Sequence, residues 1–286
     1  MDGFTLDLDR IRNWGCTGIS APTLAGEYAL PAGDNGDRDR RELLAGVYVA
    51  LYCAVGSAQA MPRQDDPERN AVHQMVVASA ALAASEAESY LTLVSAGLES
   101  SAAVHLRSLA ETVRRLVICR RDPALALRLY GTAEAEWLRL VAPVKIPNVP
   151  PPTNGQETMR DVERTAEFRK AKADVQAAYH VLDDMEWTMW SKRTHGDIYA
   201  LVDVSQKLTA RGDDVRAAIN GEKPDGKSAN GHIMRAIGLC LLAFGSIVQE
   251  FEIQAGPVYA DFEARYGEMQ RRDDERGVLK VGVGTP

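Results

Sequence analysis

This chain is poor in the features that usually announce a function. Aromatic residues fill only 6% of its 286 positions, fewer than expected of cores built from aromatic and β-branched strands. Its four cysteines, Cys16, Cys53, Cys119 and Cys240, include no Cys-x-x-Cys pair. The spacings of zinc ribbons and of redox motifs are thereby excluded, and reduced, mostly buried thiols are expected. The five histidines, His73, His105, His180, His195 and His232, form no His-Glu-x-x-His and no Glu-x-x-His pair. Neither a zinc-protease helix nor a di-iron bundle is written into the chain, and no metal or cofactor is expected. No Gly-x-Ser-x-Gly elbow accompanies them.

Long apolar runs are also missing. The most apolar stretch, residues 237–248, is bracketed by Arg235 and Glu250 and is too short for a bilayer, so a buried helix is predicted and no membrane partner. The opening MDGFTLDLDRIRNWG lacks a basic start followed by an apolar core, so no secretory signal is expected and the cytoplasm is the default. A formal charge of -7 and a pI near 5.4 disfavour a broad footprint for nucleic acid or anionic lipid.

What is present is helical pattern. Ala102, Leu106, Leu109, Val113, Leu116 and Val117 recur at spacings of three and four, one stripe of a helix over 97–121 around which the remaining helices are expected to pack. Leu43, Leu44, Val47, Leu51 and Val55 give a helix over 39–61, ended by Pro62 and a polar loop through Pro67. An alanine-rich helix over 70–95 follows. Asp122 before Pro123 reads as a cap and first helical position, starting a helix to about 141. Five prolines in PVKIPNVPPPTNG make residues 142–156 a linker. Long helix is expected over 158–190, a short one over 198–208, a loop over 211–230, and helices over 231–254 and 258–271. The fold class is therefore all-α: an irregular arm at residues 1–38, one helical-bundle domain at 39–272 containing the Pro-rich linker, and a loose tail at 273–286.

One motif matches in full. Gly221-Glu222-Lys223-Pro224-Asp225-Gly226-Lys227-Ser228 fits the phosphate-cradling pattern G-x-x-x-x-G-K-[ST]. That loop needs a buried strand before it, whereas DDVRAAIN is polar and Ala-rich, so a nucleotide site is the third-ranked reading.

Arg107 and Glu111 stand one turn apart on the shoulder of the 97–121 stripe, where a charged pair meets the edge of a seam. The ordinary reading is a surface ion pair worth about 0.3 to 0.5 kcal/mol. His195 lies in SKRTHGD beside Trp190, at a helix break where an imidazole titrates near neutrality; the ordinary reading is a turn histidine bonded to backbone.

The run from Tyr90 to Tyr130, followed by WSKRTHGD, resembles a set of all-helical bacterial proteins sharing an Arg-x-x-x-Glu helix, an Asp-Pro helix start and a later Ser-x-x-x-His. The pattern falls on Arg107, Glu111, Asp122, Pro123, Ser191 and His195 and spans residues 89–197. These proteins in turn resemble, more distantly, HEPN domains, helical bundles of RNA-cleaving toxins and phage defence. The wider Arg-to-His spacing of those nucleases is not reproduced: three residues separate Arg69 from His73 and one separates Arg193 from His195.

Two functions follow as expectations. In the first, Arg107, Glu111 and His195, with Ser191, form a buried polar cluster that fixes helix register in an interaction or regulatory protein, self-associating, in bacterial defence or stress. Glu111→Ala should then destabilise the fold by leaving a buried Arg unpaired. In the second, the same residues bind or cleave RNA, with Arg107 on phosphate, Glu111 as orienter and His195 as acid or base.

Overall fold

The computed structural model describes residues 35–62, 64–95, 98–141, 157–180 and 227–275. The polypeptide there forms helices α1 (Asn35–Gln59), α2 (Pro67–Ser95), α3 (Glu99–Arg121), α4 (Pro123–Val141), α5 (Met159–Glu163), α6 (Ala166–Ala178), α7 (Lys227–Glu250) and α8 (Gly256–Glu275). The fold is all-α, and no strand occurs among the described residues. The Pro-rich linker, the 198–208 helix, Ser191 and His195 lie outside them.

Four long helices close a ring: α1 packs on α2, α2 on α3, α3 on α7, and α7 back on α1, with α2 also touching α7 across the middle. The expected central helix α3 packs against four others, and so do α2 and α7. Ala80, Ala83, Ala84 and Ala87 of α2 are wholly buried, and side chains this small let neighbouring helices come close on several sides. Around the ring, α4 covers α2 and α3, α6 lies on α3, and α8 lies on α7 and α1. Leu43, Leu51, Leu106, Leu109, Leu116 and Phe244 are among the residues that fill the interior.

The helix ends differ from the sequence expectation for identifiable reasons. Asp66 and Pro67 start α2 as Asp122 and Pro123 start α4: the Arg69 amide donates to Asp66 Oδ2 at 3.3 Å, and the Leu125 amide to Asp122 Oδ1 at 3.0 Å. The expected long helix over 158–190 is two helices as far as residue 180. Thr158 and Asp161 form a reciprocal capping box for α5, and Thr165 caps α6 by accepting from the Phe168 amide at 3.3 Å, so the chain restarts there. The end of the glycine-containing loop is already helical, since α7 begins at Lys227.

At the other extreme, α8 runs to Glu275, three residues past the expected boundary of the tail. Asp273 is 1% exposed and paired with Arg40, itself 4% exposed. This ion pair joins α8 to α1, and a buried pair of this kind leaves a costly isolated charge if either partner is lost. Cys53, Cys119 and Cys240 are free, the last two buried; burial pushes the Cys119 thiol up to about 12, so it is an inert packing residue.

By length and composition alone, Arg38–Gln59 and His232–Glu250 are long enough to cross a membrane. In the second, 72% of the apolar window is buried within the bundle, which is how a central core helix of a helical domain appears.

The seat of α8 is set by two glycines. A Cβ on Gly46 would stand 3.3 Å from Phe262 Cε1, and one on Gly245 would stand 2.9 Å from Tyr259 Oη and 3.1 Å from its Cε2. Gly131 of α4 meets nothing within 4 Å. Urea denaturation should therefore separate two changes of the same kind: Gly245→Ala lowers stability by about 1 to 2 kcal/mol through overpacking, while Gly131→Ala raises it by about 0.5 to 1 kcal/mol through helix propensity.

Candidate functional site

Arg107 and Glu111 do meet, Nη2 to Oε1 at 3.4 Å along α3. Their surroundings differ: Arg107 is 15% exposed and Glu111 44%. The carboxylate is thus largely in water, where a pair four residues apart contributes a few tenths of a kcal/mol. Of the expected cluster of Arg107, Glu111, Ser191 and His195, the described residues hold the first two, with Glu111 the more exposed partner. His195 and Ser191 lie outside the described residues, so their convergence on Arg107 is a matter of sequence alone.

The polar chemistry between helices lies elsewhere. On α2, Glu86 accepts a hydrogen bond from Ser108 Oγ at 2.9 Å and stands 2.7 Å from His105 Nδ1. A carboxylate has only acceptors, so Nδ1 carries the proton in this contact. One carboxylate therefore ties two positions of α3, and it does so in the half-buried seam of the α2–α3 hairpin. The serine hydroxyl donates its hydrogen bond to Glu86 and not to the imidazole, so the trio is not a nucleophile activated by a base. Tyr52 of α1 similarly donates to Glu88 of α2 at 3.0 Å; burial first, and then the Glu88 charge, push its phenol up to about 12.

A second cluster sits where α2 begins and where α3 and α7 end. His73 Nε2 is 3.2 Å from Glu250 Oε1, and Arg120 Nε is 3.8 Å from Glu250 Oε2. His73 and Glu250 are 12% and 9% exposed. The imidazole packs against Phe251 with ring centroids 4.6 Å apart. Burial pulls the His73 pKa below its ordinary 6.5; the Glu250 charge opposes this and the Arg69 charge adds to it. The neutral form of the imidazole is thereby favoured.

Sequence reasoning missed both clusters. His105 and Ser108 are one turn apart, a visible spacing, but nothing in the sequence points to Glu86 as their shared partner. Glu250 was visible only as the charge ending an apolar run. No group of three or more His, Cys, Asp and Glu gathers among the described residues.

No family model, no curated protein and no solved structure matches this chain.

Two predictions follow from the geometry. Glu86→Ala strips Ser108 and His105 of their shared acceptor and should cost about 1 to 3 kcal/mol in urea denaturation, whereas Glu111→Ala should cost less than about 0.5 kcal/mol. For His73, the native state resists protonation, so its contribution is full above the unfolded value near 6.5 and is lost as pH falls through the lower folded value. Denaturation across pH should show that acid-side loss in the wild type, and His73→Gln should flatten it.

Proposed function

We propose that this chain is an interaction or regulatory protein of bacterial type, acting in the cytoplasm as a homo-oligomer, whose polar groups fix helix register and do not perform chemistry. The observation that carries this reading is Glu86, which takes the hydrogen bonds of both Ser108 and His105. The α2–α3 seam, which holds a serine, a histidine and a glutamate, thus satisfies its own polar groups. The charge of -7 supports a protein partner over nucleic acid, and three free thiols support a reducing compartment. The resemblance over residues 89–197 supports a setting in defence or stress.

The competing reading is RNA binding or cleavage through Arg107, Glu111 and His195; the one contact that favours it is the Arg107–Glu111 pair. A third is nucleotide binding at the GEKPDGKS loop, of which only Lys227 and Ser228 fall in a described element, the first turn of α7. Incubation with end-labelled single-stranded RNA, alongside sedimentation velocity, separates the first two. The expected result is intact RNA and a sedimenting species larger than one chain. RNA cleavage that disappears in both Arg107→Ala and His195→Ala would establish the enzyme reading instead.

A further inference from the structure

Among side-chain atoms sealed from solvent, Asn70 Oδ1, His73 Nε2 and Glu250 Oε1 make no hydrogen bond. Folded interiors seldom leave such atoms unsatisfied, and an unseen water or ion is among the ordinary explanations. These three share one end of the bundle. Asn70 and His73 lie one turn apart on the same side of α2, and Glu250 is the last residue of α7. Two of the three are oxygens that only accept, so the species that satisfies them is a cation or a hydrogen-bond donor; an anion is repelled.

We propose that Asn70, His73 and Glu250 hold one first-row divalent transition-metal ion, such as zinc, with water completing its coordination. The spacing favours a metal over a buried water. His73 Nε2 and Glu250 Oε1 are 3.2 Å apart without being aligned on each other as a hydrogen bond. At ligand bonds of about 2.1 Å, two atoms so placed subtend roughly 100° at the ion, between octahedral and tetrahedral angles. A water about 2.8 Å from each would see them only about 70° apart, a poor fit to its own bonding directions. The His105–Glu86 pair, at 2.7 Å and hydrogen-bonded, shows how a histidine and a glutamate meet in this protein when nothing lies between them.

The surroundings suit the assignment. Arg120 lies 3.8 Å from the other oxygen of Glu250 and so steadies the carboxylate with Oε1 turned toward His73. Phe251 packs against the imidazole and limits its rotation. Arg69 is exposed, and solvent screens its charge from the ion. With three protein ligands, one of them a neutral amide, the ion keeps an open position.

Metal uptake is a readout separate from RNA cleavage and from self-association, so this inference stands or falls apart from the proposed function. Chelator-treated full-length protein is titrated with Zn²⁺ by calorimetry and with Co²⁺ by visible absorption. One ion per chain is expected, with Tm raised by roughly 5 °C or more at about 100 times Kd. His73→Gln and Glu250→Gln, both folded by circular dichroism, should each weaken affinity by about 100-fold, while His105→Gln and His195→Gln leave it unchanged. Should either of the first two fail to fold, Asn70→Ala supplies the same reading with an expected loss of at least about tenfold. No uptake, uptake indifferent to Glu250→Gln, or uptake lost in His105→Gln or His195→Gln would overturn the assignment.

Discussion

The close approach of helices to the alanine face of α2 is the constraint on which the rest depends. Ala80, Ala83, Ala84 and Ala87 present almost no side chain, so α1, α3, α4 and α7 all find room on one helix. Such a surface offers little shape to distinguish one axial position of a neighbour from the next. Apolar burial drives the helices together without choosing among nearby registers, because it scales with area and has no direction. Something directional has to make that choice.

Polar contacts at the seams of α2 do so. Tyr52 reaches Glu88 from α1, Ser108 and His105 reach Glu86 from α3, and His73 faces Glu250 from α7. A slide of one turn along any of these seams moves a half-buried carboxylate about 5.4 Å from its partner, and the desolvated group left behind opposes the slide. The Arg40–Asp273 pair does the same for α8 against α1. These contacts are better understood as selectors of one arrangement than as large sources of stability, since buried ion pairs recover little beyond their own desolvation.

Much of this architecture was legible in the sequence and much of the polar chemistry was not, for one physical reason. Helical periodicity is local: Leu106, Leu109, Val113 and Leu116 declare α3 within three turns, and Asp122 with Pro123 marks the start of α4 within two residues. The same Asp-Pro signal at Asp66 was hidden by the polar loop around it, and the Thr165 cap by the apolar stripe that continues on both sides. Alanine signals a helix without signalling how many neighbours it has, so the four partners of α2 left no mark in the sequence. Glu86 and His105 are 19 residues apart, Arg40 and Asp273 233, distances over which no periodicity carries information. The exposure of Glu111 shows a finer point: a position on the shoulder of a stripe is buried or wet depending on whether another helix reaches over it, and at Glu111 the side chain remains 44% exposed.

The two histidines that the fold brings against carboxylates show how composition underdetermines chemistry. His105 and His73 each face a glutamate from another helix, at 2.7 Å and 3.2 Å, yet they are not in equivalent situations. At Glu86 a serine and an imidazole donate to the two carboxylate oxygens, and His105 keeps about a third of its surface in water. Every requirement of that group is met from within the chain or from solvent. At Glu250 the nearer oxygen is sealed and misaligned with the imidazole, and one turn from His73 along α2 the buried amide oxygen of Asn70 also lacks a donor. Folded interiors seldom leave such a deficit, and an unseen water or ion is among its ordinary complements. The bundle thus has a self-satisfied seam in the α2–α3 hairpin and, where α7 meets the start of α2, an end whose sealed polar atoms are left without hydrogen-bond partners.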